Sequence, residues 1–160
     1  MKRAARRAES KRSKKAIQKS LAQRACGECT ACCTVMGVAE IHKAPGEPCS
    51  KLCASGCSVY ESRPRGCREF NCLWRMGLLG PEGRPDRLGA VLDMTEKPGE
   101  FEQFVVARPA FPGGLETARP TLDELVRDGH VVILLNGAST KALARPDRVD
   151  LVRRRLNVVA

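Results

Sequence analysis

The cysteines constrain this chain most, because all nine lie in one stretch of a 160-residue sequence. The stretch opens with C-x2-C-x2-C-C and closes with C-x4-C, and three more cysteines lie between these runs. Thiols two residues apart can face one ion from a short turn, as in zinc sites, and C-x2-C-x2-C is also typical of iron–sulfur ligation. The candidate metal ligands are Cys26, Cys29, Cys32, Cys33, Cys49, Cys57, Cys67 and Cys72, with Cys53 as a ninth.

A disulfide framework is the main alternative for so many cysteines. The count is odd, the adjacent Cys32 and Cys33 are poorly placed to bond to each other, and no signal peptide precedes them. Disulfides persist mainly in oxidising compartments, so we expect reduced or metal-bound thiols in a cytoplasmic protein. No apolar run approaches the roughly 18 residues that a membrane helix needs, so we expect no membrane partner.

Most of the net charge of +10 lies in residues 1–25, which carry ten Lys and Arg side chains against the single Glu9. The rest of the chain is close to neutral. Because this segment has few large apolar side chains, we expect a basic flexible arm that is disordered or transiently helical. Such an arm can also bind nucleic acid or another polyanion through counterion release, although no aromatic side chains are interleaved for base stacking.

The composition changes after the cysteines. We expect a module over residues 26–76, followed by a region over 77–160 that packs on it. The fold class predicted is α+β: a small irregular cysteine-rich metal-binding module, then a small antiparallel sheet with two helices.

The sheet and helices are predicted from local patterns. Apolar runs predict strands over 88–94, 101–107 and 131–135, with a hairpin turn at 97–100 between the first two. Thr121 and Glu124 form the pattern of a capping box, and Gly129 is expected to end the helix that they begin. A second helix is predicted over 146–156.

Several residues near the cysteines are expected to support a metal site. Four thiolates around one divalent ion carry a net charge of about −2, which is costly at low dielectric unless cations offset it. Arg63 and Arg68 are the candidate cations, and Tyr60 is expected to help wall the site together with Phe70 and Trp74. His42 is a further candidate ligand, although a lone histidine there is more often structural.

The second half of the chain carries no phosphate loop, nucleophile elbow, H-E-x-x-H or dinucleotide fingerprint. Any chemistry would therefore use the cysteine cluster. Two alternatives to a metal-binding module stay open. One is an iron–sulfur-dependent enzyme subunit or maturation factor, and the other is a nucleic-acid-associated protein anchored by its basic arm.

A longer pattern runs through residues 26–74. It comprises Cys26, Cys29, Cys32, Cys33, the loop 43–46, Cys49, the run 56–60, Arg63-Pro64, Cys67-Arg68, Phe70 and Cys72. This stretch resembles the CxxCxxCC family, also called the YkgJ family of cysteine-cluster proteins, a largely bacterial group described as zinc- or iron-chelating. The resemblance implies binding of zinc or iron, including an iron–sulfur cluster, but no defined cellular role or protein partner. Some relatives carry the cluster in enzymes that methylate lysines of flagellin, and this chain supplies no cofactor pocket for that activity.

The chain departs from the family at the middle cysteine. The family often has C-x-H-L there, whereas this sequence reads Cys49-Ser50-Lys51-Leu52, so Lys51 stands at the histidine position. Cys53 follows directly and is the residue that can substitute as a ligand.

Overall fold

The computed structural model describes residues 2–94 and 104–156, and its first element is the long helix α1 (Lys2–Gln23). This helix spans the segment that was expected to be disordered or transiently helical. Ala, Arg, Lys and Gln dominate the segment and favour helix, so the backbone is helical although it has no apolar face. Among the described residues, no helix combines the length and apolar character needed to cross a membrane.

The C-terminal end of α1 is fastened to the following module. Ser20 Oγ donates a hydrogen bond to the carbonyl of Arg75 at 3.0 Å. Arg24 donates to the carbonyls of Trp74 and Leu79 at 2.6 and 2.7 Å, and its guanidinium lies 5.4 Å from the Trp74 ring centroid. Most of the Lys and Arg residues of α1 precede this anchored end in the sequence.

The cysteine module contains little regular structure, as predicted. Its elements are helix α2 (Ala31–Val35), the two-residue strands β1 (Leu52–Cys53) and β2 (Gly56–Cys57), and helix α3 (Arg65–Glu69). β1 and β2 pair antiparallel, with Leu52 opposite Cys57. Cys29 and Cys72 are buried, Cys53 is exposed, and the other six cysteines are partly buried.

The second half forms a four-stranded sheet in chain order. After helix α4 (Pro85–Leu88) come strands β3 (Ala90–Met94) and β4 (Phe104–Pro109), helices α5 (Gly114–Thr117) and α6 (Arg119–Arg127), strands β5 (Val131–Asn136) and β6 (Ser139–Leu143), and helix α7 (Val149–Leu156). The α+β class is confirmed. The sheet is mixed rather than wholly antiparallel, because α5 and α6 carry the chain back so that β5 pairs parallel to β4.

Both faces of the sheet are covered. Leu92, Val105 and Val132 point to one face and are buried against Leu122 of α6. Residues at alternate positions point to the other face, where Phe104, Val131 and Ile133 pack with Val152 of α7. The strands therefore read as nearly continuous apolar runs, as expected for a sheet buried on both sides.

The cysteine module covers the β3 end of the second face. Val91 is fully buried there, in one cluster with Cys29 and Cys72. The amide of Leu73 also donates to the carbonyl of Leu92 at 2.8 Å, which extends the hydrogen bonding of the sheet into the module. The position of the cysteines is thus tied to the strand.

The local predictions for the second half were partly right. The antiparallel pairing of β3 and β4 and the strand at 131–135 are confirmed, whereas the hairpin at 97–100 lies outside the described residues. The capping box was wrong, because α6 begins at Arg119 and Ala118 occupies its N-cap without a side-chain hydrogen bond. Gly129 ends the helix as predicted, with a φ of 94° and amide bonds that close a Schellman motif.

A close backbone contact joins α4 to α5 and gives a stability prediction. A Cβ placed on Gly114 would lie 2.0 Å from the carbonyl oxygen of Gly89, which itself has a φ of +88°. We expect Gly114→Ala to reduce the free energy of unfolding by about 1–3 kcal/mol, because the two backbones must separate. Gly80→Ala is the matched control, since a Cβ there meets nothing within 4 Å. Urea unfolding of both variants checks this, and equal midpoints would contradict it.

Candidate metal centre

One cleft of about 210 Å³ in the module gathers eight of the nine cysteines on its walls. They are Cys26, Cys29, Cys32, Cys33, Cys49, Cys57, Cys67 and Cys72. Cys53, the ninth candidate, is exposed and does not line the cleft; its thiol lies 3.3 Å from the Ser55 hydroxyl. His42 is exposed, with a left-handed φ of 50°, and lies outside the cleft lining as well.

All nine cysteines are free thiols, so the disulfide alternative does not describe this structure. Within the described ranges 2–94 and 104–156, no group of three or more histidine, cysteine, aspartate or glutamate side chains is arranged so that it could hold a metal ion. The thiols therefore line a common space without converging on one point.

Backbone amides are directed at several of the sulfurs. The amide of Lys51 lies 3.5 Å from the Cys49 sulfur, so Lys51 does contact the site, through its backbone. Burial raises the pKa of Cys29 and of Cys72, while backbone hydrogen bonds at Ala31 and Trp74 act in the opposite direction. Amide bonds to sulfur favour the thiolate, which is the form that binds metals.

The adjacent Cys32 and Cys33 share a hydrogen bond between their side chains. That bond and burial raise the pKa of Cys32, and the same bond lowers the pKa of Cys33. The positive charges of Lys43 and Arg63 lower the pKa of Cys33 further. The cleft thus favours a negative charge at Cys33 in particular.

Lys43 is a cleft residue whose buried position sequence reasoning missed. Its side chain is only 9% exposed, and Nζ donates to the carbonyls of Thr34 and Ala44 at 3.1 and 3.2 Å and to that of Met36. Lysine is rarely buried unless it is paired, and here Nζ is held by three backbone carbonyls. A lysine ahead of a Pro/Gly loop gives no burial signal in the sequence.

Of the two arginines predicted to offset thiolate charge, one lines the cleft and the other does not. Arg63 lines the cleft and stacks on the Tyr60 ring, 3.6 Å from its centroid. Its Nε is buried and has no hydrogen-bond partner among the described residues. Arg68 is exposed and donates to the carbonyl of Arg63 at 2.7 Å, so it holds the Arg63 backbone and does not face the cleft.

The remaining walls are apolar or anchor the module. Phe70 and Trp74 line the cleft, as predicted. Asp86, at the start of α4, interacts electrostatically with Cys29 and is bonded by Arg84 at 2.7 Å. Nothing in the local sequence indicates that Asp86 lies beside Cys29, because the two residues are far apart in the chain.

The donor set is chemically suited to zinc or iron. Eight thiols face one space, amides point at three of the sulfurs, and two cations stand where thiolate charge would accumulate. The buried, unpartnered Arg63 Nε is a donor that an added negative charge would satisfy. The residue types present therefore suit such an ion, whereas no three of the described side chains are arranged to hold one.

Comparison with known proteins adds no identification, since no family model, curated protein or solved structure matches the chain.

The thiols are expected to differ in reactivity toward an alkylating reagent when no metal is bound. Burial raises the pKa of Cys29 to about 11, whereas Ser55 lowers the pKa of the exposed Cys53. At pH 8 we expect Cys53 to react before Cys29. From pH 8 to 10 the rate at Cys29 should rise about tenfold per pH unit, and that at Cys53 should rise less.

Timed labelling with iodoacetamide and peptide mass spectrometry measures both rates on the same molecules. Cys72, which is also buried and has a raised pKa, is the internal control that should follow Cys29. Equal rates at Cys29 and Cys53 across the pH range would contradict the structure of the cleft.

Proposed function

We propose that the protein binds zinc or iron through the cysteines of the cleft. The observation that carries this proposal is that eight free cysteines, drawn from separate parts of the module, line one cleft. Structural packing alone does not require thiols at all eight positions. Thiol-only donor sets select zinc, iron and iron–sulfur clusters over hard cations such as magnesium and calcium.

The charges around the cleft support the same proposal. Thiolates must replace thiols when a metal binds, and the released protons leave a negative centre. Lys43 is buried close to Cys33, and Arg63 stacks over Tyr60 on the cleft wall. Ammonium and guanidinium groups offset thiolate charge without competing as ligands, since both are hydrogen-bond donors only.

The resemblance to the YkgJ family is part of this proposal, and it concerns the module only. Free thiols also suit a reducing compartment, so we propose a cytoplasmic location. With zinc, the bound ion would stabilise the module. With an iron–sulfur cluster, the same thiols would support redox or radical chemistry, and the protein would act as an enzyme subunit or maturation factor.

A second candidate function, nucleic-acid binding by α1, is supported by the form of that helix. It is continuous over Lys2–Gln23, and its last turn is fastened to the module by Ser20. Lys14, Lys15 and Lys19 are exposed. A basic helix held at one end can lie along phosphates at a lower entropy cost than a disordered arm.

Metal content is expected to depend on the cleft cysteines and not on Cys53. Protein purified without oxygen should contain zinc or iron, and Cys67→Ser should lower both the metal content and the melting temperature. Cys53→Ser should change neither, because that thiol is exposed and outside the cleft. Elemental analysis and the absorption spectrum measure this and separate colourless zinc protein from brown iron–sulfur protein. A folded wild type that takes up neither metal would refute the proposal.

Removal of residues 1–12 tests the second function while keeping the anchored turn of α1. This deletion removes six Lys and Arg residues and Glu9. Affinity for a random-sequence DNA duplex should fall by about tenfold or more, and the dependence of the remaining binding on salt should weaken. Fluorescence anisotropy at several salt concentrations measures both quantities. Equal affinity of the two proteins, or binding that does not respond to salt, would exclude the helix as the binding element.

A further inference from the structure

The adjacent Cys32 and Cys33 divide the thiols of the cleft into two sets. Both residues lie on helix α2, where consecutive side chains leave the axis about 100° apart. Both nevertheless line the cleft, and their side chains bond to each other. Cys32 and Cys33 can therefore belong to two different groups of ligands. The contacts of the other cleft cysteines indicate which thiols accompany each of them.

The first group lies against the sheet. Cys29 and Cys72 are 8% and 7% exposed and share one buried cluster with Val91 of β3. The amide of Cys29 donates to the carbonyl of Cys26 at 3.0 Å, so these two thiols come from one turn. The Cys32 thiol interacts electrostatically with Cys26 and Cys29, and Cys26 interacts in the same way with Cys72.

The second group lies on the side of the β1–β2 hairpin. The amide of Cys49 donates to the carbonyl of Cys33 at 3.0 Å, and the carbonyl of Cys49 accepts from Leu52, the residue paired with Cys57. Cys67, on α3, interacts electrostatically with Cys33, Cys49 and Cys57. Within each set these interactions link the members to one another, and the Cys32–Cys33 bond joins one set to the other.

We propose that the cleft contains two separate four-thiol sites for thiophilic divalent cations, the first made by Cys26, Cys29, Cys32 and Cys72 and the second by Cys33, Cys49, Cys57 and Cys67. The proposal rests on the metal-binding function above and specifies how the thiols are shared. Four thiolates complete a tetrahedral shell, so each site is closed and structural when it holds zinc. Cys53 and His42 are ligands of neither site.

The sharing of thiols predicts how ion counts respond to substitution in the full-length protein. Titrated with zinc under anaerobic conditions, the wild type should bind two ions. Cys72→Ser and Cys67→Ser should each bind one. The pair Cys29→Ser with Cys72→Ser should still bind one, because both changes affect the same site, whereas Cys67→Ser with Cys72→Ser should bind none. Cys53→Ser is the control and should bind two.

Cobalt(II) replaces zinc in a second series, because its visible absorption reports four-thiolate coordination directly. Loss of all ions from either single variant, or equal counts for the same-site and cross-site pairs, would show one shared cluster and overturn the division. A wild type that binds no ion would instead refute metal binding itself. The half-buried Cys26 and Cys49 supply alternative variants for a substitution that prevents folding, and circular dichroism monitors the fold.

Iron(II) is tested in the same way, with acid-labile sulfide measured beside it. If the thiols form two separate sites, each variant should bind the same number of iron ions as of zinc ions. Each single variant should then lose the iron of one site only. A sulfide-bridged iron cluster whose formation is abolished equally by Cys67→Ser and by Cys72→Ser would overturn it.

Discussion

The seam between the cysteine module and strand β3 is the constraint on which the rest of the structure depends. The module has short helices and a two-residue hairpin, and its own backbone hydrogen bonds mostly close local turns. It is joined to the sheet by the Leu73 amide, which donates to the Leu92 carbonyl, and by the burial of Cys29 and Cys72 against Val91. The apolar strand β3 is therefore the surface against which these two cysteines pack.

The sequence was most informative where the physical signal is local. Clustered cysteines, the apolar run at 131–135 and the glycine at 129 each indicate their structure within a few residues, and the α+β class follows from them. Long-range features were harder to predict. Strand β6 (Ser139–Leu143) is short and largely exposed, so its pattern is weak, and the parallel pairing of β4 and β5 depends on where α5 and α6 carry the chain.

The same limit applies to the candidate site. The spacing of the thiols identified the eight residues that line the cleft, because chelating motifs are short-range patterns. The burial of Lys43, the unpartnered Nε of Arg63 and the approach of Asp86 to Cys29 arise from tertiary packing, and no pattern in the chain encodes them. Charge balance around a thiol site is therefore visible only once the fold is known.

Trp74 has a consequence beyond its part in the cleft wall. It is the single tryptophan of the chain, it follows Cys72 by two residues, and the Arg24 guanidinium lies over its ring. Its indole therefore lies between the cysteine cleft and the C-terminal end of α1. The tryptophan fluorescence of the unlabelled protein consequently reports on both regions. A change in the cleft would quench the emission, and a movement of α1 would shift its wavelength.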